Sequence, residues 1–327
     1  RSDPWVGELV DRAAGWSRIL LGYNLGDHLH HGTSPANDPI QRFICDQLRI
    51  VVGSLALSHA LQSRGARPDL HIGHSMGEIS ALAAARWLDI DTALRIVCFR
   101  CRAILQHAPA GAMTALNCSV REARELLQHH ASQSLVVSTV NSPQQVTVSG
   151  MTAEVAEFEK YLRSKKLIFK RLNAAYPFHS PLMAKAANVL GQWIARERFS
   201  IGSKVWSPMM GRAYITSDSI PQLIASHLTL PVVFTDAVRQ VSQLRVDSWV
   251  EVGGRKALTG LVKNTLKDSR WGPSLQLLTT SQPHQDELSQ VENTVASLRR
   301  KHVSVAVWRP NPRIVPSTTT SRMGVAA

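Results

Sequence analysis

The chain has 327 residues, of which 44% are hydrophobic and 19% are charged, as in an ordinary globular protein that can bury a sizeable core. No run of 18 apolar residues predicts a membrane span, and four cysteines are too few for a disulfide scaffold, so we expect reduced thiols and a cytoplasmic location. The formal net charge is +13, but the basic residues are spread along the chain without a nucleic-acid-binding motif, so neither nucleic acid nor a membrane is an expected partner.

The first elements surround a glycine-flanked serine. Residues 40–64 have apolar positions every three or four residues, which predicts a long helix. A short buried strand at 70–72 and a glycine turn follow, and then the Ala-rich stretch 76–87 predicts another helix with Glu78 in its first turn. Strand, tight turn and helix are the setting in which the G-x-S-x-G of "GHSMG" forms a nucleophile elbow.

Residues 112–172 differ in character from the residues around them. Their pattern predicts strand, helix, two strands around the turn "NSPQ", helix and strand, which is the βαββαβ order of a ferredoxin-like unit. We therefore predict an α/β protein whose α/β-hydrolase-like large domain, residues 1–111 and 173–281, contains an inserted ferredoxin-like small subdomain, residues 112–172.

The residues after the inserted subdomain complete the large domain and are followed by a C-terminal segment. A helix is expected from about 183 to 196, and "SWVEVGG" (248–254) predicts a late core strand. Residues 282–327 predict a further helix, a short strand in "VSVAVW" and a Pro/Ser/Thr-rich linker or tail. Arg1 is not an initiator Met, so we expect an excerpt of a longer chain.

Ser75 is the candidate nucleophile, because an elbow exposes the hydroxyl at a helix N-terminus. The backbone N–H of Met76 would then help to hold the oxyanion of the reaction. His179, in "YPFHSP", is the candidate base, since it lies where the small subdomain returns the chain to the large domain. On spacing alone, a histidine that caps the turn before Pro181 is an equally open interpretation.

Two other features, a pair of cysteines and a basic segment, each have a structural and a functional interpretation. Cys98 and Cys101 form a C-x-x-C pair, but they lie in a helical pattern without a second ligand pair, which favours core packing over a metal or redox site. The densest basic segment, "RSKKLIFKR" (163–171), is either a solvated face or a docking surface for an acidic protein.

Six segments in order resemble the malonyl-CoA:acyl carrier protein transacylase family, which includes the acyltransferase domains of polyketide and fatty acid synthases. The resemblance runs from "WVGELV" near residue 5 to "VAVW" at 308. Its segments are "DPIQRF", "GHSMGE", "FRCRAI", "NSPQQVTVSG", "PFHSPLM" and "EVGGRKALTGLVK".

The resemblance implies a role for each matching residue. Ser75 and His179 would be the catalytic pair, with the imidazole oriented by a backbone carbonyl of the 251–263 segment. Arg100, which follows Ser75 by 25 residues, would bind the carboxylate of the substrate. Arg102 points about 200° away on the same helix, so only one of the two can face the site. Gln41 and Asn141 would complete the substrate-binding residues.

The residue before the histidine selects the acyl unit in this family. Phe178 is bulky and resembles the malonyl-selecting pattern, whereas methylmalonyl enzymes usually carry serine there. Tyr176 is shared with the methylmalonyl pattern and Pro177 fits neither form.

The resemblance implies ping-pong transfer of a malonyl group from coenzyme A to the phosphopantetheine thiol of an acidic acyl carrier protein, in polyketide or fatty acid biosynthesis. Malonyl-CoA is the donor, no permanently bound cofactor or metal is expected, and a ketosynthase domain is an expected neighbour. Three alternatives stay open: an acyl hydrolase that edits stalled carrier proteins, a non-catalytic docking domain, and a transacylase for another carboxyacyl unit such as methylmalonyl. The second alternative arises because only "RSDP" precedes "WVGEL" where the family has G-Q-G-x-Q, so the other half of the oxyanion hole is expected before Arg1.

Overall fold

Helices dominate the first hundred residues, and a capping aspartate stands where each long one begins. The computed structural model describes residues 3–130, 132, 134–244, 246–253, 256–269, 276–280 and 286–301. Asp38 accepts hydrogen bonds from the N–H groups of Ile40 and Gln41, which starts the long helix that the apolar spacing predicted. Asp89 does the same for Thr92 in the helix that carries Arg100.

The helices lie as follows along the chain: α1 Pro4–Leu21, α2 Gly26–His31, α3 Pro39–Ser63, α4 Gly77–Ala84, α5 Ile90–His107, α6 Val120–His130, α7 Thr152–Ser164, α8 Ala184–Ile194, α9 Ile220–Ser226, α10 Phe234–Ser242, α11 Ala257–Leu266 and α12 Glu287–Lys301. The strands are β1 His71–Ile72, β2 Gly111–Leu116, β3 Val136–Ser142, β4 Gln145–Met151, β5 Phe169–Arg171, β6 Val205–Ser207, β7 Arg212–Ala213, β8 Val232–Val233, β9 Ser248–Glu251 and β10 Gln276–Thr279.

The large core is mostly helical. Apolar faces of α1, α3, α4, α5, α8 and α9 form one buried cluster around residues such as Ile44, Leu82 and Ile104. Beside it, β1 pairs in parallel with β6, and β6 pairs with β7. The strand predicted at 70–72 is therefore present at 71–72, but both of its residues are only half-buried.

The inserted unit has the predicted βαββαβ order. Its four strands are arranged as β5-β2-β4-β3, the 4-1-3-2 order of a ferredoxin-like sheet, over a core that includes Val148 and Phe158. The sheet continues into β8 of the large domain, which pairs in parallel with β3 through Thr139 and Val232. This fifth strand was not predicted, and it joins the two subdomains through backbone hydrogen bonds.

The C-terminal part contains elements that the sequence predicted and one strand that it did not predict. The late strand predicted at 248–254 is β9, and it pairs in parallel with β10, which the sequence did not predict. The helix expected after residue 282 is α12. The strand expected in 303–308 and the tail lie outside the described residues.

All four cysteines are free thiols, as expected. Cys98 and Cys101 lie fully buried on α5, where burial raises the pKa of both thiols, to about 12 for Cys101. Among the described residues, no group of three or more His, Cys, Asp or Glu side chains is placed to hold a metal ion. Helix α3 has the length and composition of a membrane span, but half of its most apolar window is buried inside the fold.

Candidate active site

Ser75 lies on a strained turn between β1 and α4. Its φ of 54° is in the left-handed region, which costs a residue other than glycine on the order of 1–3 kcal/mol. A Cβ atom at Gly73 would lie 2.2 Å from the backbone nitrogen of Glu78, so only glycine lets the strand approach the helix this closely. A Cβ at Gly77 would meet nothing within 4 Å. The local structure is thus the elbow that the sequence predicted.

The turn leaves one backbone donor open beside Ser75. The N–H groups of Gly77, Glu78 and Ile79 donate to the carbonyls of the three residues from 74 to 76. The N–H of Met76 donates to no group within the described part of the chain. It is therefore free to donate to an oxyanion that forms at Ser75.

His179 contacts Ser75 directly. Its Nε2 lies 2.7 Å from Ser75 Oγ, and the imidazole is 3% exposed. Its Nδ1 lies 3.0 Å from the carbonyl oxygen of Leu230, and its backbone N–H donates to the carbonyl of Leu228 at 2.9 Å. Since a carbonyl can only accept, Nδ1 carries the proton and Nε2 is left to accept one from the serine.

The orienting carbonyl corrects one expectation. The resemblance placed it in the 251–263 segment, whereas the structure places it at Leu230, in the turn between α9 and β8. The reason is that β8 pairs with β3 and brings the preceding turn over the imidazole.

Burial sets the protonation of His179. Desolvation, followed by the positive charge of Arg100 and by His74, lowers the pKa of His179 to about 3, although the Leu230 hydrogen bond opposes this. The imidazole is therefore neutral at physiological pH. Only a neutral imidazole can take a proton from the serine.

Arg100 is a buried cation that lacks an acidic partner. It is 3% exposed, and its Nη1 donates to Gln47 Oε1 at 2.6 Å. No carboxylate of the described residues acts on its charge, and burial lowers its pKa to about 10. An unpaired buried charge is costly, so an anionic ligand would be strongly favoured here.

Arg102 faces the other way, as its helical position predicted. It is exposed, and its guanidinium lies 5.2 Å from the ring centroid of Trp193. Only Arg100 therefore faces the site.

The glutamine that contacts Arg100 is Gln47, and a substrate-binding role for Gln41 stays a prediction. The Gln41 side chain donates to Asp38 Oδ2 at 3.0 Å, at the start of α3. Gln47 lies six residues further along α3, about 9 Å up the helix and on the side that faces α5. The sequence signal that could have found it is the helical spacing of α3, because Gln47 follows the buried Ile44 by three residues and directly precedes the buried Leu48.

Asn141 lies beside the elbow and holds its histidine. Its Oδ1 lies 2.8 Å from His74 Nε2, so the small subdomain contacts the residue before the nucleophile. The His74 ring also lies edge-on to Phe234, at 5.5 Å between centroids. Asn141 is thus in the region that the sequence predicted, and its observed contact is to the protein.

Phe178 forms an aromatic wall next to the arginine. Its ring lies 5.3 Å from the guanidinium carbon of Arg100 and 6.0 Å from the ring of Tyr176. Its carbonyl accepts a hydrogen bond from Ser149 of the small subdomain at 2.8 Å. The walls of the site therefore come from both subdomains.

Comparisons with known proteins identify the family of the chain. Residues 28–305 match the family described as acyl transferase domain. Polyketide synthase GfsB from Streptomyces halstedii is 34% identical over 235 residues, which cover 70% of this chain but only 4% of that protein. A polyketide biosynthesis malonyl CoA-acyl carrier protein transacylase, BaeC from Bacillus velezensis, is 28% identical over 69% of this chain and 78% of its own length.

The fold comparison points the same way. The crystal structure of malonyl-CoA:acyl carrier protein transacylase from Xanthomonas oryzae superposes with a TM-score of 0.78 at 26% identity, covering 90% of each chain. From the matched family and the two-subdomain fold, the chain belongs to the acyl transferase domain family and is an acyltransferase.

Proposed function

We propose that this chain transfers a malonyl group from coenzyme A to the phosphopantetheine thiol of an acyl carrier protein, through an ester of Ser75, in polyketide biosynthesis. The observation that carries the proposal is the site itself. A serine lies 2.7 Å from a neutral histidine, beside a buried arginine that has no acidic partner among the described residues.

The first half-reaction forms the ester. Nε2 of His179 takes the hydroxyl proton of Ser75 while Oγ attacks the thioester carbon of malonyl-CoA. The N–H of Met76 donates to the oxyanion. The carbon–sulfur bond then breaks, and His179 returns its proton to the sulfur, so that free coenzyme A leaves.

The second half-reaction reverses these roles. The carrier thiol gives its proton to His179 and the sulfur attacks the ester carbon. When the ester bond breaks, the proton returns to Ser75 Oγ, and a malonyl thioester leaves on the carrier. Atoms and charges balance in each half.

Arg100 has two effects in this scheme. Its guanidinium pairs with the distal carboxylate of malonyl, which favours carboxyacyl over simple acyl units. Because the positive charge of Arg100 contributes to the low pKa of His179, a bound carboxylate raises that pKa towards the range in which an imidazole can both take and return a proton. The pKa of His179 therefore moves towards the range suited to proton transfer only when the correct substrate is bound.

The size of the acyl unit depends on Phe178. Its ring, held between Tyr176 and the Arg100 guanidinium, leaves little freedom beside the α-carbon of a bound malonyl group. We therefore propose malonyl over methylmalonyl. A Phe178→Ser variant should shift the ratio of methylmalonyl to malonyl loading by about tenfold, as expected for relief of one crowded methyl group.

The basic segment 163–171 supports a carrier protein as the acceptor. Phe169, Leu116, Val146 and Val140 form one row across the small sheet, so the segment shares an end of the sheet with Asn141. β5 lies three strand positions from β3, about 14 Å away. Arg171 is paired with Glu159, whereas Lys166 and Lys170 are exposed and remain available to an acidic surface.

The biological setting is part of the proposal. Polyketide biosynthesis is supported by the names of the relatives, although the chain covers only a small fraction of the synthase that it matches. A neighbouring ketosynthase domain and a cytoplasmic location remain proposals, the second supported by four free thiols.

Intact-mass measurement after exposure to a mixture of malonyl-, methylmalonyl- and acetyl-CoA tests the function. We expect a malonyl adduct that is absent from Ser75→Ala and present in the matched control Ser80→Ala. Addition of holo carrier protein should move the adduct to the carrier. Release of free malonate instead would identify a hydrolase, and no adduct at all would identify a docking domain.

A further inference from the structure

A buried polar cluster lies beneath the elbow, and the mechanism above does not use it. Glu78, Tyr214 and His227 are 0%, 5% and 4% exposed. The Tyr214 hydroxyl donates to Glu78 Oε1 at 2.6 Å. His227 Nε2 lies 3.5 Å from the same carboxylate oxygen and 3.4 Å from the Tyr214 hydroxyl.

Two members, Glu78 and His227, belong to segments that hold the two halves of the Ser75–His179 pair. Glu78 is in the first turn of α4, and its N–H donates to the carbonyl of Ser75. His227 opens the turn in which the carbonyls of Leu228 and Leu230 fix the backbone and the Nδ1 atom of His179.

Tyr214 is tied to the sheet that leads into the elbow. Its N–H donates to the carbonyl of Val205 in β6, the strand that pairs with β1. The cluster therefore joins the nucleophile turn, its supporting sheet and the turn that orients the base.

The cluster is a poor device for stability alone. Within the described part of the chain, Glu78 Oε2 and His227 Nδ1 are buried without a hydrogen-bond partner. Burying polar atoms that stay unpaired is unfavourable, and an apolar cluster of the same size would avoid that cost. A polar cluster retained between the two halves of the pair favours a role in their geometry.

We propose that Glu78, Tyr214 and His227 are positioning residues that fix the turn 227–230, and with it His179, relative to Ser75. The inference rests on the proposed Ser75–His179 mechanism. Loss of one contact lets the turn shift against the elbow, so proton transfer slows while substrate binding at Arg100 is unchanged.

The test uses a neutral serine-directed fluorophosphonate, which reports on the reactivity of Ser75 without a carboxylate or a carrier protein. Tyr214→Phe is the mildest variant and Glu78→Gln keeps the shape of the side chain. Glu197→Gln is the matched control, because it neutralises a carboxylate that is held by Arg95 at 2.6 Å elsewhere in the fold. The maximal labelling rate, the half-saturating concentration and the thermal midpoint are measured for each.

We expect the maximal rate to fall about tenfold in Tyr214→Phe and further in Glu78→Gln, with the half-saturating concentration unchanged. Glu197→Gln should lower the midpoint and leave the rate as in the wild type. Wild-type labelling rates in both cluster variants, or an equal fall in Glu197→Gln, would overturn the positioning role alone. A wild type that does not label at Ser75 refutes both the mechanism and the inference that rests on it.

Discussion

The two halves of the Ser75–His179 pair are built in different ways. The nucleophile half is local: strand, turn and helix lie within residues 71–84, and the strain at Ser75 is held by hydrogen bonds among neighbours. The base half is not local, because the carbonyl that orients His179 comes from Leu230, 51 residues later. His179 is also strained, with a φ of 59°, and its strain is held by a distant turn. A local motif can place a nucleophile, but only tertiary structure can place its base.

The largest effects are expected when Ser75, His179 or both are replaced. His179→Ala should lower the rate of acyl-enzyme formation by at least about 10³-fold, because the base is lost. Ser75→Ala and the double variant should form no acyl-enzyme, because the hydroxyl that makes the ester is absent. A malonyl adduct in Ser75→Ala, or a wild-type rate in His179→Ala, would contradict the proposed pair. The measurement is single-turnover mass spectrometry with malonyl-CoA, and malonyl-CoA binding should be retained.

The next effect separates the two arginines of α5. Arg100→Ala should lower malonyl loading by about 10²-fold, because a buried bidentate pair with the carboxylate is lost. Arg102→Ala is the control, and its loading should be unchanged. Competition between malonyl-CoA and acetyl-CoA measures the preference, and intact malonyl preference in Arg100→Ala would end the carboxylate argument.

Substitutions at two glycines test how the turn that carries Ser75 is held. Gly73→Ala should lower the free energy of unfolding by about 1–3 kcal/mol and slow the labelling of Ser75, because its Cβ would collide with the backbone of Glu78. Gly77→Ala has open space around the new Cβ and should fold as the wild type does. Chemical denaturation measures the free energy of unfolding of both variants. Equal stability of Gly73→Ala and Gly77→Ala would show that the turn does not depend on the close approach of Gly73 to the backbone of Glu78.

The pH dependence tests how the base half is tuned. With a pKa of about 3, His179 is neutral above that pH, so the labelling rate of the free enzyme should stay flat from about pH 8 down to about pH 5. Arg100→Gln removes a positive charge that lowers this pKa, so the acid limb should move to higher pH. Arg102→Gln should leave the limb where it is. An unmoved limb in Arg100→Gln would show that the charge of Arg100 does not contribute to the low pKa of His179.

The smallest effect distinguishes two glutamines of α3. Gln47→Ala should reduce malonyl loading several-fold, because the Arg100 guanidinium loses a hydrogen-bond partner that orients it. Gln41→Ala should affect only the start of α3, where its amide contacts Asp38. Steady-state loading kinetics of the two variants decide between them.

The features that the sequence missed depend on contacts between distant segments, as the position of His179 does. Ser75, Met76 and the opposite directions of Arg100 and Arg102 were predictable, because each depends on spacing within one turn or one helix. The choice of Arg100 came from the family resemblance. Gln47 was missed because the glutamine of α3 that meets Arg100 depends on which face of the helix packs against α5. The carbonyl of Leu230 was missed because a backbone acceptor has no side-chain signature, and β8, with only two residues, has no periodicity.

The sequence by itself determined the elbow, the two helices beside it, the βαββαβ order of the insertion and the residues that resemble an acyltransferase site. The elbow, the helices and the strand order depend on glycine conformations, capping groups and periodic burial, which act over a few residues. The site residues were identified by their resemblance to the family. Only the tertiary structure decided which carbonyl orients His179, which glutamine meets Arg100 and how β8 joins the subdomains. Those contacts are made between segments far apart in the chain, and their geometry is set by packing.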